Sequence, residues 1–230
     1  MQPLTKLILI FVGFLFSLEC KAQSNCPFPI INTMDAYRKA VTQNPNNTLI
    51  EIKNEISNAK LDIKYATQTN LTKRPVYRLA KAFARKPVVE ALKNVQAELN
   101  QQGLGLKFFD GYRPYAVTCI FYAEIRDTTF VAAPWRGSKH NRGCALDLTI
   151  VDLKTGKELD MPSAYDETSE RAFQSYDKCT SIQAKNRALL RDVMVKHGFL
   201  IYPWEWWHYD FKGWEQYDIM DIDFEKLVAK

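Results

Sequence analysis

Two short stretches of this chain carry residue types that could do chemistry together. The first is GSKHNRGCALDLTI, residues 137–150, which sets His140 and Asp147 seven positions apart with Gly143, Cys144 and Ala145 between them. The glycine lets the chain turn sharply, and the small residues let backbone approach a neighbouring group closely. Asp147 opens the run Leu148, Thr149, Ile150, which reads as a strand. An unpaired carboxylate buried there is costly, so it must face the core with a partner or face a metal. The second stretch is WEWWHYDF, residues 204–211, where Glu205 precedes His208 by three. Two histidines and one aspartate make the three-ligand set of a catalytic zinc, with one position left open. Such an ion polarises a carbonyl and makes water a nucleophile near neutral pH. Glu205 is then the carboxylate that moves protons, from the attacking water and later to the leaving amine. A third stretch, FFDGYRP at 108–114, sends Arg113 out of a strand at a glycine-containing turn. A fixed guanidinium there can meet a developing oxyanion.

Each piece alone has an ordinary explanation. A His with an Asp seven away is usually a polar pair, a Glu three before a His is common by chance, and GYRP is more often a turn with a surface arginine. Their joint occurrence is what points to a metal-assisted hydrolysis. The remaining histidine, His197, ends a helix, where a cation suits the dipole, and is left out of the site.

The elements that must position these residues are legible in outline. PVVEALKNVQAELNQQG, residues 87–103, spaces Val88, Leu92, Val95 and Leu99 by four, three and four, which makes one buried helical stripe. Pro87 suits its first turn and Gly103 its C-terminal cap. SIQAKNRALLRDVMVKHG, ending at Gly198, is a second strong helix; DAYRKAVTQ, PVYRLAKAFARK and PYAVTCIFYAEI are further helix candidates. KLDIKYAT, LKFFD, ALDLTIVDL, FLIYP and EWWHYDF read as strands, with Thr155-Gly156 as a turn. The uneven alternation predicts one α+β domain: a mostly antiparallel sheet flanked by helices, with the zinc site at the sheet.

The chain has 230 residues, with 13 Phe, 11 Tyr and 5 Trp, ample material for a core. Its basic residues are scattered, which excludes a nucleic-acid arm. LILIFVGFLFSL, residues 7–18, follows Lys6 and is too short to span a bilayer, so residues 1–22 read as a signal peptide and residues 23–230 as the mature domain. Cleavage there lowers the net charge from +5 to +4, since Lys6, Lys21 and Glu19 are lost. Export to the periplasm or medium is expected. A lipid anchor on Cys20, the only route to a membrane, fits less well because Glu19 precedes it. Cys26, Cys119, Cys144 and Cys179 remain, an even count that permits disulfides in an oxidising compartment with three full pairings. Small buried thiols are the other reading of each.

These motifs resemble a known family. SKHNRGCALD is similar to the SxHxxGxxxD motif, and EWWH to the ExxH motif, of the VanX-type D-alanyl-D-alanine dipeptidases, zinc peptidases of peptidoglycan chemistry. LDIKYATQTNLTKRPVYR, VQAEL, LKFFDGYRP, LDMPSAYDE and NRALLRDVMVKHGF resemble it too, so the likeness spans roughly residues 48–211. It implies one zinc on His140, Asp147 and His208, Glu205 as base and proton donor, and Arg113 as stabiliser of the tetrahedral intermediate. It also implies that Asp166 holds the ammonium of a free D-alanyl-D-alanine dipeptide and that Ser138 helps bind it; the residues alone had not singled out Asp166. Cys144 stands where another small residue is expected. Residues Thr118 to Trp135 have no clear counterpart, which leaves their part in substrate range open. The alternatives are a zinc carboxypeptidase trimming peptidoglycan stem peptides through an open groove, a non-catalytic zinc module binding the cell wall, and an exported scaffold without metal.

Overall fold

The computed structural model describes residues 26–229, so the expected signal at 1–22 and Cys20 lie outside the described residues. The elements in chain order are β1 (Ile30–Ile31), α1 (Met34–Gln43), β2 (Leu49–Glu51), α2 (Ile52–Glu55), β3 (Lys60–Leu61), β4 (Phe83–Arg85), α3 (Lys86–Asn100), β5 (Leu104–Asp110), α4 (Tyr115–Ile125), β6 (Ala145–Asp152), α5 (Ser181–Lys196), β7 (Phe199–Tyr202), β8 (Glu205–Phe211), β9 (Ile219–Met220) and α6 (Phe224–Val228). Five strands form the main sheet in the order β3-β5-β6-β8-β7. α3 and α5 pack on that sheet and touch each other.

The helices form for the reasons their sequences give. In α3 the predicted stripe Val88, Leu92, Val95 and Leu99 is fully buried. Gly103 closes it at φ +71°, in the left-handed region. Each buried side chain of this kind contributes about 1.5–3 kcal/mol, and Leu92→Ala would cost about 2–5 kcal/mol. In α5 a reciprocal cap joins the Thr180 hydroxyl to the Gln183 backbone and the Gln183 side chain to the Thr180 backbone. Leu146, Leu148 and Ile150 of β6 join the α3 stripe in one continuous core.

Three expectations need correction. The sheet is mixed rather than mostly antiparallel: β5-β6, β6-β8 and β8-β7 are antiparallel, whereas β3 lies parallel to β5. The chain reaches β5 from β3 by a crossover through β4 and α3, the connection that parallel pairing requires. KLDIKYAT is a strand for only two residues. Lys60 and Leu61 pair with Lys107 and Phe108, then the chain leaves as a helical turn at Lys64–Ala66. PVYRLAKAFARK is not a helix. It is loop up to Phe83, where β4 pairs with β2 and the Arg85 amide donates to the Gly143 carbonyl at 3.0 Å. Tertiary pairing overrides its helical composition.

The irregularity that matters for chemistry sits in β5. A bulge between Phe108 and Asp110 shifts the register so that Asp110 stands opposite Asp147. Asp147 in turn stands opposite His208 of β8. Three polar side chains thus form a row across three neighbouring strands of a buried sheet. No helix among the described residues is long and apolar enough to cross a membrane.

Candidate active site

The loop before β6 brings His140 to the end of that row. His140–Arg142 make one helical turn, and Gly143 leaves it at φ +69°. A Cβ at Gly143 would stand 2.8 Å from Leu49, so the close approach read from the sequence is real. Asn141, fully buried, bolts the loop to the Arg113 turn. Its amide donates to the Arg113 carbonyl at 2.9 Å and to the Thr118 hydroxyl at 2.8 Å, and its carbonyl accepts from the Ser138 amide at 2.9 Å. The Arg113 amide donates to the His140 carbonyl at 3.0 Å.

His140, Asp147 and His208 converge. His140 Nε2 lies 3.2 Å from His208 Nδ1, and Asp147 Oδ1 lies 3.4 and 3.0 Å from those two nitrogens. The outer nitrogens decide what the inner ones can do. His140 Nδ1 faces the Gly111 carbonyl at 2.8 Å, and His208 Nε2 faces Asp210 Oδ1 at 2.9 Å. Both partners only accept, so each outer nitrogen carries a proton, and each inner nitrogen presents a lone pair once its imidazole is neutral. With both imidazoles neutral, two nitrogen lone pairs and a carboxylate oxygen meet at one point; without an ion, His208 stays protonated between Asp147 and Asp210. That cluster calls for a cation, and two imidazoles with a carboxylate suit a transition-metal ion such as zinc.

Glu205 Oε2 stands 3.7 Å from His208 Nδ1, beside the trio. Arg113 donates from Nε and an Nη to Asp110 Oδ2 at 2.9 and 2.8 Å, and that Nη is 3.8 Å from Asp147 Oδ2. Its guanidinium lies over the Phe121 ring at 4.9 Å and the Tyr65 ring at 5.3 Å. Tyr77 and the Gly111 amide both donate to Asp110 Oδ1 at 2.9 Å, which fixes the carboxylate that fixes the arginine.

All seven residues expected at the site, Arg113, Ser138, His140, Asp147, Asp166, Glu205 and His208, line one cavity of about 430 Å³. Thr128 to Ala133 form part of its wall, so the segment without a clear counterpart does border the pocket, although its first half is helix α4. Asp166 sits at φ +62°, a left-handed backbone that is strained for a side chain other than Asn, Asp or Gly. Tyr65 donates to its Oδ1 at 3.1 Å, while its Oδ2 is buried with no partner.

Carboxylates are crowded in this region. Arg113 contacts Asp110 and Asp147 and Lys139 contacts Asp210, while Arg136 and Arg142 also line the cavity. Burial, reinforced by Asp147, pushes Asp166 up to about 8. Burial also pushes Glu205 up to about 8, with His208 opposing and Asp147 adding. Burial alone would depress His208, but Asp210 and Asp147 raise it to about 10. Asp147 goes the other way, because His140 and His208 outweigh its burial. The raised values at Asp166, Glu205 and His208 describe a pocket in which added positive charge is favoured.

Several contributors escaped the sequence reading. Asp110 lies three before Arg113 in DGYRP, a spacing that could have suggested the pair. Tyr165 donates to Asp147 Oδ2 at 3.0 Å while stacking on Phe109 at 4.4 Å. Tyr65, Lys139 and Asp210 left no local signal. His197 is indeed outside the site, its Nε2 2.8 Å from Glu98. Cys144 is a buried thiol whose pKa is raised by desolvation to about 12, and the Cys179 thiol donates to the Tyr176 carbonyl.

Comparison with known proteins places the chain. The family model of peptidase M15, described as D-Ala-D-Ala dipeptidase, matches residues 45–226. A D-alanyl-D-alanine dipeptidase of Enterococcus faecium is 33% identical over 189 residues, 74% of this chain and 93% of that protein. One of Escherichia coli strain K12 is 29% identical over 170 residues, 74% of this chain and 88% of that one. One of Enterococcus faecalis is 34% identical over 168 residues, 64% of this chain and 83% of that one. A solved structure of the LdcB LD-carboxypeptidase overlaps 58% of this chain and 61% of its own, at 25% identity and a TM-score of 0.39, too partial a match to carry an argument. The extent of the family match and the relatives' identity together show that this chain is a peptide hydrolase belonging to the D-Ala-D-Ala dipeptidases of peptidase family M15.

Proposed function

We propose that the protein is a zinc-dependent dipeptidase that hydrolyses free D-alanyl-D-alanine to two molecules of D-alanine. The observation that carries this reading is the convergence of three metal-ligand side chains, His140, Asp147 and His208, in the same cavity as the unpartnered oxygen of Asp166. Burial holds Asp166 and Glu205 protonated near neutral pH, and a divalent ion and a substrate ammonium beside them would favour their charged forms.

His140 Nε2, His208 Nδ1 and an Asp147 oxygen would hold the ion, which supplies Lewis-acid chemistry: a polarised carbonyl and water that is nucleophilic at neutral pH. Glu205, beside the ligands, accepts the proton of the attacking water and returns it to the amine that leaves when the peptide bond breaks. Burial raises its pKa toward the working range of an acid-base group, and a bound cation beside it would favour the charged form that takes the first proton. Arg113, held by Asp110 against two aromatic rings, meets the negative oxygen that develops at the carbonyl. Asp166 accepts from the substrate's ammonium, and the Ser138 hydroxyl contributes a further polar contact. Residues 1–22 act as an export signal in this reading, so the dipeptide is met outside the cytoplasm.

A free ammonium is what separates a dipeptide from the acylated end of a stem peptide. The test is to compare D-alanyl-D-alanine, its N-acetyl derivative and a stem pentapeptide as substrates. Hydrolysis of the free dipeptide alone is expected. Equal or faster release of D-alanine from the acylated substrates would replace the dipeptidase by a carboxypeptidase, and hydrolysis of none would favour a wall-binding module, which needs neither Glu205 nor Arg113.

A further inference from the structure

The two imidazoles of the trio are held from behind in different ways. His140 leans on a neutral backbone carbonyl, Gly111 at 2.8 Å. His208 leans on a carboxylate, Asp210 Oδ1 at 2.9 Å, and the other oxygen of that carboxylate takes a hydrogen bond from Lys139 Nζ at 2.8 Å. Lys139 directly precedes His140, and Asp210 follows His208 by two on the same strand. Asp210 pairs across the ladder with Ala145. Asp210 is 4% exposed, and the Lys139 ammonium stands 5.3 Å from the Trp214 ring centre, which further fixes its position. The His208 ring also meets Tyr202 edge to face at 5.4 Å.

We propose that Asp210, anchored by Lys139, is the positioning residue of the metal centre. It fixes the His208 tautomer that offers Nδ1 to the ion, and the Lys139–Asp210 bridge ties the loop carrying His140 to the strand carrying His208. The two motifs lie 68 residues apart in the chain, from His140 to His208, and this ion pair joins them directly beside the ligands. A carboxylate behind a ligating imidazole also raises its donor strength, so its removal should weaken metal binding about 10–100-fold.

The inference rests on the metallopeptidase reading, and its test separates the two. Zinc affinity of the full mature protein is measured by competition with a chromophoric chelator, for wild type, Asp210→Asn, Asp210→Ala and Lys139→Met. Thermal unfolding of each metal-free form is followed in parallel. The expected result is one tight zinc per wild-type chain and a 10–100-fold weaker zinc in Asp210→Ala. Asp210→Asn should fall between them, because its amide oxygen still accepts from Nε2. Lys139→Met should show a smaller loss than Asp210→Ala. The cobalt-substituted Asp210 variants should also shift their visible bands, since a turned imidazole alters the ligand field. Zinc affinity within twofold of wild type in both Asp210 variants overturns the proposal while leaving the metal centre standing. So does a fall in metal-free unfolding temperature with unchanged affinity, which marks a merely structural ion pair. No stoichiometric zinc in wild type overturns the metallopeptidase reading itself.

Discussion

Asp166 is the site residue whose environment gives the most quantitative test. Its carboxylate is buried, one oxygen has no partner, and its pKa stands at about 8 because burial and Asp147 disfavour the charge. Each tenfold change in proton affinity is worth about 1.4 kcal/mol. Keeping this group in the fold at pH 7, when it ionises near 3.8 in the unfolded chain, therefore costs about 4 kcal/mol. The sign is that of an acid with a raised folded pKa: the penalty is absent below about pH 3.8 and grows as pH rises toward about 8. Asp166→Asn removes the ionisation and keeps a side chain that tolerates φ +62°. Its amide still leaves a polar group unpaired, which costs about 1–2 kcal/mol. The metal-free variant should thus be about 2–3 kcal/mol more stable than wild type at pH 7. At pH 4 the charge contribution falls to about 0.6 kcal/mol and the advantage should vanish. Urea unfolding with chelator present, at both pH values, reads the difference directly. The same variant should lose about 10–100-fold in kcat/KM for the free dipeptide, the usual worth of a hydrogen bond to a charged group. A variant no more stable than wild type at pH 7, or a gain that does not depend on pH, would refute the reasoning that this carboxylate waits uncompensated for a cation.

Other expectations follow from the same geometry. Glu205→Gln should lower kcat by about 10²–10⁴-fold with one zinc per chain retained by metal analysis; retained activity would remove Glu205 from the proton transfer. Arg113→Lys keeps a charge but cannot reproduce the paired donation to Asp110, so kcat should fall by about 10²–10³-fold with KM changed far less. Cys144, buried with its pKa pushed up to about 12, should resist iodoacetamide at pH 8 until the protein is unfolded, as peptide mapping would show.

The parts of the molecule that were legible are those decided locally or by joint occurrence. Val88, Leu92, Val95 and Leu99 announce α3 because spacing alone defines a helical stripe. The His140, Asp147, Glu205 and His208 set was legible because the two motifs have few other joint uses, and the cavity does gather them. What escaped depends on long-range approach. Tyr65 reaches Asp166 across 101 positions, so neither residue signals the other in sequence. PVYRLAKAFARK has helical composition, yet its end is claimed by pairing with β2 and by the Gly143 carbonyl. KLDIKYAT alternates like a strand, but the bulge in β5 ends their pairing after two residues. That same bulge sets Asp110 opposite Asp147, a placement that only the assembled sheet reveals.

The most direct test of the central claim is release of D-alanine from D-alanyl-D-alanine by the mature protein, assayed as purified, after chelation, and after zinc is returned. The account predicts release that chelation abolishes and zinc restores, at one equivalent per chain. Release unaffected by chelation, or no release from a chain that holds one zinc, would contradict it.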